Sequence, residues 1–326
     1  MIERRRFVGG LALGVLAVPL APEAQPAAKI YRVGVVLEGG PYYAAIEGLK
    51  AGLKELGFEE GKQYGLHIRD VKGDLSAVAE AAKHLEQEKV DLIYTTATSI
   101  TLAVRGATTK VPIVFYTGSD PVGAGLIKSF ARPDGRLTGV YTRGADLLAK
   151  RLQILKEAVP KVRRVLSFYD PANSSAREGV TAAREAARQL RIELVDRQVR
   201  SVDELRAGLR GLKAGETDAI FLVPDAMVNS QAQLIADTAT AKKVPSMFYE
   251  RTGVVGGGLA SYGMSYYAVG RLTAKYVHRV LLGTSPADLP VEGFDRFELV
   301  INLRTAKALG LTIPQSVLGR ADELIR

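Results

Sequence analysis

The sequence predicts an α/β protein made of two copies of one unit, each with a mainly parallel sheet. Three observations lead there. Residues 111–116 form a short, continuous apolar and β-branched run, the pattern of a strand covered on both faces. Runs of this kind alternate with helix-period segments along the chain, as in βαβ units. Finally, a phrase returns. Lys110, Val111, Pro112, Phe115 and Tyr116 reappear as Lys243, Val244, Pro245, Phe248 and Tyr249, at a spacing of 133 residues. Arg32 and Val33 return as Arg164 and Val165, and Asp91 with Ile93 returns as Asp218 with Ile220. Two such units with facing strand ends would enclose a cleft, and in open α/β sheets ligands lie beyond the carboxyl ends of the strands.

The elements follow in order. Residues 1–28 carry Arg4, Arg5 and Arg6, an apolar stretch over 8–20 and the small, proline-rich APEAQPAA. This is the pattern of an export signal, too short to span a membrane and compatible with a twin-arginine address. A strand over 31–37 leads through EGGPYY into a helix that presents Ile46, Leu49, Leu53 and Leu56 on one face and stops at Gly57. A strand over 64–71, a helix over 77–88 and a strand over 90–95 follow. After strand 111–116 come the turn residues Thr117, Gly118, Ser119, Asp120 and Pro121. A helix over 147–159 leads to the second copy: strand 162–169, helix 175–190, strand 192–199, helix 202–212, strand 219–223 and helix 229–242. KVPSMFYE and VVGGGLASYG lead into a helix over 266–282, and residues 297–314 hold one strand and one short helix. No low-complexity linker separates the halves, so several chain crossings are expected to join them.

Composition narrows the function. The 326 residues are 47% hydrophobic and 24% charged, as in a packed globular chain of two domains. There is no cysteine, which excludes thiolate catalysis, disulfides and lipid attachment at an N-terminal cysteine. The formal charge is +9, and the basic residues are scattered over helix faces such as REAARQLR. A nucleic-acid binder would gather them into a patch among exposed aromatics. His67, His84 and His278 stand far apart without partners at metal-ligand spacing, and neither a phosphate loop nor a G-x-S-x-G elbow is present. No catalytic residue, metal or cofactor is proposed by the sequence.

What it does offer is a set of polar loops at expected strand ends. TTATS places Thr96, Thr98 and Ser99 at a helix start, where hydroxyls and unpaired N–H groups attract carboxylates or phosphates. Simple helix capping reads the same residues equally well. YDPANSS supplies Asn173, Ser174 and Ser175, VPDAMVNS supplies Asp225, and the repeated phrase ends in Tyr249 and Glu250. A carboxylate at such a rim pairs with a ligand ammonium, and tyrosines cover a ring or an aliphatic body.

VPIVFYTGSDPVGAGLIKSFARPDGRLTGVY, KRLQILKEAVPKVRRV, GGLASYG and FELVINLRTAKALGLTIP, in that order, resemble the signature stretches of the ABC transporter substrate-binding family that includes tryptophan- and tyrosine-type binding proteins. The resemblance implies a type I periplasmic-binding-protein fold with two flavodoxin-like lobes and a three-crossing hinge. Lobe I would comprise residues 29–141 and about 264–293, lobe II residues 142–263 and about 294–326. It also implies ligand contacts at Tyr42, at Thr96, Thr98 and Ser99, and at Tyr116 with the turn through Ser119 and Asp120. From lobe II it implies Asn173, Ser174, Ser175, Asp225, Tyr249 and Glu250.

The expected function is that of a periplasmic or secreted solute receptor, not an enzyme. It would be a monomer that closes on an amino-acid-like or carboxylate ligand and delivers it to a membrane ABC permease. An extracytoplasmic sensor or an α/β enzyme are the alternatives, and a LacI-type regulator would need a DNA-binding segment where the export signal stands. Asp225→Ala and Thr98→Ala are each expected to weaken binding by about tenfold or more with little loss of fold.

Overall fold

Apolar strand cores set two sheets side by side, and the way the chain shuttles between them explains the position of the cleft. The computed structural model describes residues 29–133 and 135–326, leaving aside the side chains of residues 145 and 146. The expected export signal lies outside the described residues.

The first sheet begins with β1 (Tyr31–Leu37), whose last five residues are buried. After α1 (Tyr43–Glu55) come β2 (Tyr64–Asp70), α2 (Val78–Gln87), β3 (Leu92–Thr95), α3 (Thr98–Ala107), β4 (Ile113–Thr117) and β5 (Leu137–Tyr141). The chain then crosses over. α4 (Leu148–Ala158) leads to β6 (Arg164–Tyr169), α5 (Ser174–Gln189), β7 (Glu193–Gln198), α6 (Val202–Arg210) and β8 (Ala219–Phe221). Next are α7 (Ala226–Ser230), α8 (Ala232–Ala241), β9 (Ser246–Phe248), α9 (Arg251–Val255) and β10 (Ala260–Gly263). A second crossing carries α10 (Tyr266–Leu281) and β11 (Glu292–Gly293) back to the first lobe. A third returns the chain for β12 (Glu298–Asn302), α11 (Leu303–Ala308), α12 (Gln315–Leu318) and β13 (Glu323–Ile325).

The first sheet runs β11-β5-β4-β3-β1-β2 and is parallel throughout; the second runs β13-β12-β10-β9-β8-β6-β7. Removing the edge strands leaves the same flavodoxin-like order in both lobes. The repeat has a physical content. Asp91 accepts from the Arg32 N–H at 2.7 Å, and Asp218 accepts from the Arg164 N–H at 2.9 Å, so each pins the start of its lobe's first strand. Pro112 O and Pro245 O accept from Ile93 N and Ile220 N, at 2.8 and 2.9 Å.

Three features differ from the sequence reading. The helix expected over 229–242 is two helices, α7 and α8, because the Asp225 side chain starts a helix earlier by accepting from Val228 N. β12 pairs antiparallel with β10, so the second sheet is mixed, and β13 adds an edge strand from the C-terminal residues.

α10 packs on α1 at backbone distance. A Cβ on Gly48 would lie 1.9 Å from Tyr267 O, and one on Gly270 the same distance from Ala45 O. Contact this close leaves no room for any side chain at either position. The lobes also touch around the cleft. Gly40, at φ +57°, sits where a Cβ would come within 2.4 Å of Ser230 O in the opposite lobe.

Candidate functional site

The carboxyl ends of β1, β3 and β4 face those of β6, β8 and β9, and the loops beyond them line a cavity between the lobes. From the first lobe the wall is built by Tyr42, Thr96, Thr98, Ser99 and Tyr116. From the second come Arg151, Asn173, Ser175, Asp225 and Tyr249. The second crossing adds Met264 and Tyr266.

On the first-lobe side, β3 ends in Thr95 and the chain turns through an extended Ala97 into α3, with no side chain capping the helix start. Thr101 holds this turn together, bonding Thr95 Oγ1 at 2.8 Å and Ala97 O at 2.7 Å. The first-turn N–H groups are therefore left for another acceptor. Beside them Thr96 Oγ1 is buried without a hydrogen-bond partner. Thr98 Oγ1 lies 3.0 Å from Ser119 Oγ, which in turn receives the Ser175 hydroxyl at 3.3 Å, so three hydroxyls join the lobes at one side of the cavity.

The second-lobe side is organised differently. Asn173 accepts from Ser175 N at the start of α5. Asp225 accepts from Asp170 N at 2.7 Å and from Val228 N at 3.1 Å. Burial raises its carboxyl to about 6, with those backbone bonds working the other way. Behind the wall, at the end of β1, Glu38 is fully buried. Its Oε1 receives the Ser99 hydroxyl at 3.4 Å and its Oε2 has no partner. Burial, reinforced by the Asp225 charge, pushes it up to about 8. Both carboxyls thus hold their protons to higher pH than ordinary ones, Glu38 more so than Asp225.

Tyrosines supply the apolar surface. Tyr266 packs against Tyr42 with ring centroids 4.9 Å apart and edge-on against Tyr116 at 5.9 Å. Their hydroxyls are largely occupied: Tyr116 bonds Thr142 Oγ1 at 3.1 Å, Tyr266 accepts from Asn229 at 3.2 Å, and Tyr249 donates to Asp225 O at 3.3 Å. Burial holds all four phenols above their ordinary range, so they act as neutral surfaces.

Nine of the thirteen residues singled out in the sequence thus line one cavity. Four do not. Ser119 stands just behind the wall as the link between Thr98 and Ser175. Asp120 is exposed and accepts from Val122 N at 2.8 Å, which makes it a turn former. Glu250 spends both oxygens on Thr252 N and Gly253 N as the cap of α9. Ser174 opens α5, half-buried, outside the wall.

Sequence reasoning missed Glu38, Arg151, Met264 and Tyr266. Arg151 had a signal: it shares a helix face with Leu148, Leu152 and Leu155, an arginine inside an apolar stripe. Met264 and Tyr266 reach the site only through the second crossing.

Residues 31–325 match the family model described as ABC transporter substrate binding protein. The chain belongs to this family of substrate-binding proteins. A tyrosine-binding protein of Clostridioides difficile is 27% identical over 269 residues, covering 82% of this chain and 76% of that protein. Among solved structures, an ABC domain in complex with L-Trp from Streptococcus pneumonia superposes with a TM-score of 0.81 at 27% identity, over 91% of this chain and 100% of that one. The ligand-free, open structure of a substrate-binding protein with adhesive properties from Clostridium difficile gives 0.60 at 25% identity, over 91% and 99%. At nearly equal identity the chain as a whole superposes better on the complex than on the open form. Among the described residues no helix is long and apolar enough to cross a membrane, and no cluster of His, Cys, Asp or Glu could hold a metal ion.

Proposed function

We propose that this chain is the exported receptor of an ABC importer and that its lobes close on an amino-acid-like ligand, which it passes to a membrane permease. The observation that carries the reading is the uncapped start of α3 next to the unpartnered Thr96 hydroxyl, across the cavity from the buried carboxylate of Asp225. An α-carboxylate satisfies the first, since helix starts favour anions. An α-ammonium satisfies the second, and the tyrosines cover the body of the ligand. The names of the relatives, one tyrosine-binding and one holding L-Trp, point to the same class of molecule.

Closure needs no covalent chemistry. Groups from both lobes reach the ligand together only when the lobes are shut, and that difference in affinity shifts the population. Micromolar affinity corresponds to about −8.2 kcal/mol, within reach of a few charge-assisted hydrogen bonds and one buried apolar body. The test is a melting screen of the mature chain with L-tyrosine, L-tryptophan, L-phenylalanine and L-glutamate, followed by chromatography of the bound compound. The expected result is a saturable rise in Tm and an unaltered compound. No rise with any of these amino acids, or the appearance of a product with time, would contradict the proposal.

A further inference from the structure

Arg151 is the charged group of the wall to which the proposed placing of an amino acid gives no partner. Its stem lies along the apolar face of α4 and its head reaches the cavity, yet it is 0% exposed. Nε donates to Tyr262 O at 2.7 Å, while Nη1 has no partner. Among the described residues no carboxylate pairs with the guanidinium. Its near neighbours are tyrosines, with its Cζ 5.4 Å from the centroid of the Tyr249 ring. An aromatic face attracts a cation but does not neutralise it. A buried charge without a counter-ion is strongly destabilising, so the guanidinium, with no carboxylate of the described residues beside it, favours an anion as its partner. Burial lowers the Arg151 pKa only to about 10, and the group stays cationic at neutral pH.

The charges can be counted around a bound amino acid. On the proposed reading its carboxylate is answered by the start of α3 and its ammonium by Asp225, while burial favours the neutral form of Glu38. Arg151 remains as one uncancelled positive charge. The edge of a guanidinium offers parallel N–H donors that match a planar oxyanion, most simply a carboxylate.

Resting on the amino-acid reading of the site, we infer that the ligand carries a second oxyanion on its side chain and that the unbonded edge of Arg151 receives it. The substrate class is then amino acids of net negative charge whose side chain has an apolar or aromatic body, with Arg151 as the residue that sets this specificity. A zwitterion such as L-tyrosine would still bind, more weakly, because it leaves the guanidinium unpaired.

An isosteric pair of probes tests this. Calorimetric titration of the mature chain with 4-carboxy-L-phenylalanine and 4-carbamoyl-L-phenylalanine compares an oxyanion with a neutral amide of the same shape. L-tyrosine serves as the zwitterionic reference. The expected result is at least tenfold tighter binding of the carboxy probe, about 1.4 kcal/mol. In Arg151→Met the ratio is expected to collapse toward one, and in Arg151→Lys, which keeps the charge without the fork, to fall between. Should Arg151→Met fail to fold, the ratios for the wild-type chain and Arg151→Lys decide the matter. Equal affinity for the two probes, or binding of L-tyrosine and of neither substituted probe, overturns the inference and leaves the amino-acid receptor standing. Binding of none of the three overturns both.

Discussion

The two mouths of the cleft are built from the same repeated unit and have come to opposite ends. In the second lobe the helices that face the cavity bring their own caps: Asn173 on α5, Asp225 on α7 and Glu250 on α9. In the first lobe α3 brings none, and the Thr96 hydroxyl beside it is left unpartnered. A capped helix start is finished without a ligand, whereas an uncapped one with a buried free hydroxyl is finished by one. The difference teaches that polar residues at strand ends divide into those that complete the fold, such as Glu250, and those left with unmet hydrogen bonds, such as Thr96, while Asp225 both caps α7 and lines the cavity.

The largest effect expected from this contrast falls on stability in the second lobe. Asp225→Ala deprives two backbone N–H groups of a buried, charged acceptor, and a loss of about 2–4 kcal/mol is expected in denaturant unfolding. This expectation differs from the one drawn from the sequence, because the sequence does not show that the carboxylate accepts from two backbone N–H groups. Glu250→Ala removes the double cap of α9 and is expected to cost about 1–2 kcal/mol. Its affinity for L-tyrosine should stay within twofold, because the residue stands outside the wall. A large loss of affinity with intact stability would place Glu250 among the ligand contacts.

The first lobe should behave in the reverse way. Thr96→Val exchanges an unpartnered hydroxyl for a methyl group of the same shape, so unfolding should be unchanged within about 0.5 kcal/mol. Affinity for L-tyrosine should fall about tenfold by calorimetry. Unchanged affinity would mean that this hydroxyl receives nothing.

The smallest effect is a pH dependence. Glu38 has its pKa raised in the folded chain to about 8 from an ordinary 4.5, and Asp225 to about 6 from 3.8. A raised carboxyl binds more protons folded than unfolded between those values, so its contribution is complete at low pH and is lost as pH rises. The Tm of the ligand-free chain is therefore expected to decline as pH rises from about 5 to 8. The upper half of that decline is expected to flatten in Glu38→Gln, with the shift amounting to a few degrees. An identical slope in wild type and variant would remove Glu38 as its source.

Much of this architecture was legible in the sequence because parallel strands buried on both faces announce themselves as apolar runs. The duplication was legible because Asp91 and Asp218 do the same job, as do Pro112 and Pro245. The rim was legible because strand ends are where turn residues collect. Asp120 and Glu250 were assigned to it because a carboxylate that caps a turn and one that meets a ligand look alike in sequence. Arg151 was legible as a site residue only through the oddity of an arginine inside an apolar stripe, and Tyr266 was not legible as one. One reaches the cavity from inside an apolar helix face and the other through a crossing far down the chain, and only tertiary packing brings them to the same wall.

The central claim, that the ligand completes what α3 leaves unfinished, is tested most directly by backbone amide NMR of the chain titrated with an amino acid that raises its Tm. The account predicts that the amide protons of Thr98, Ser99 and Ile100 make the largest downfield shifts as a carboxylate comes to accept from them. The already capped amides of Ser175 and Val228 should move little. Saturation of the site with the Thr98–Ile100 amides unmoved would contradict it.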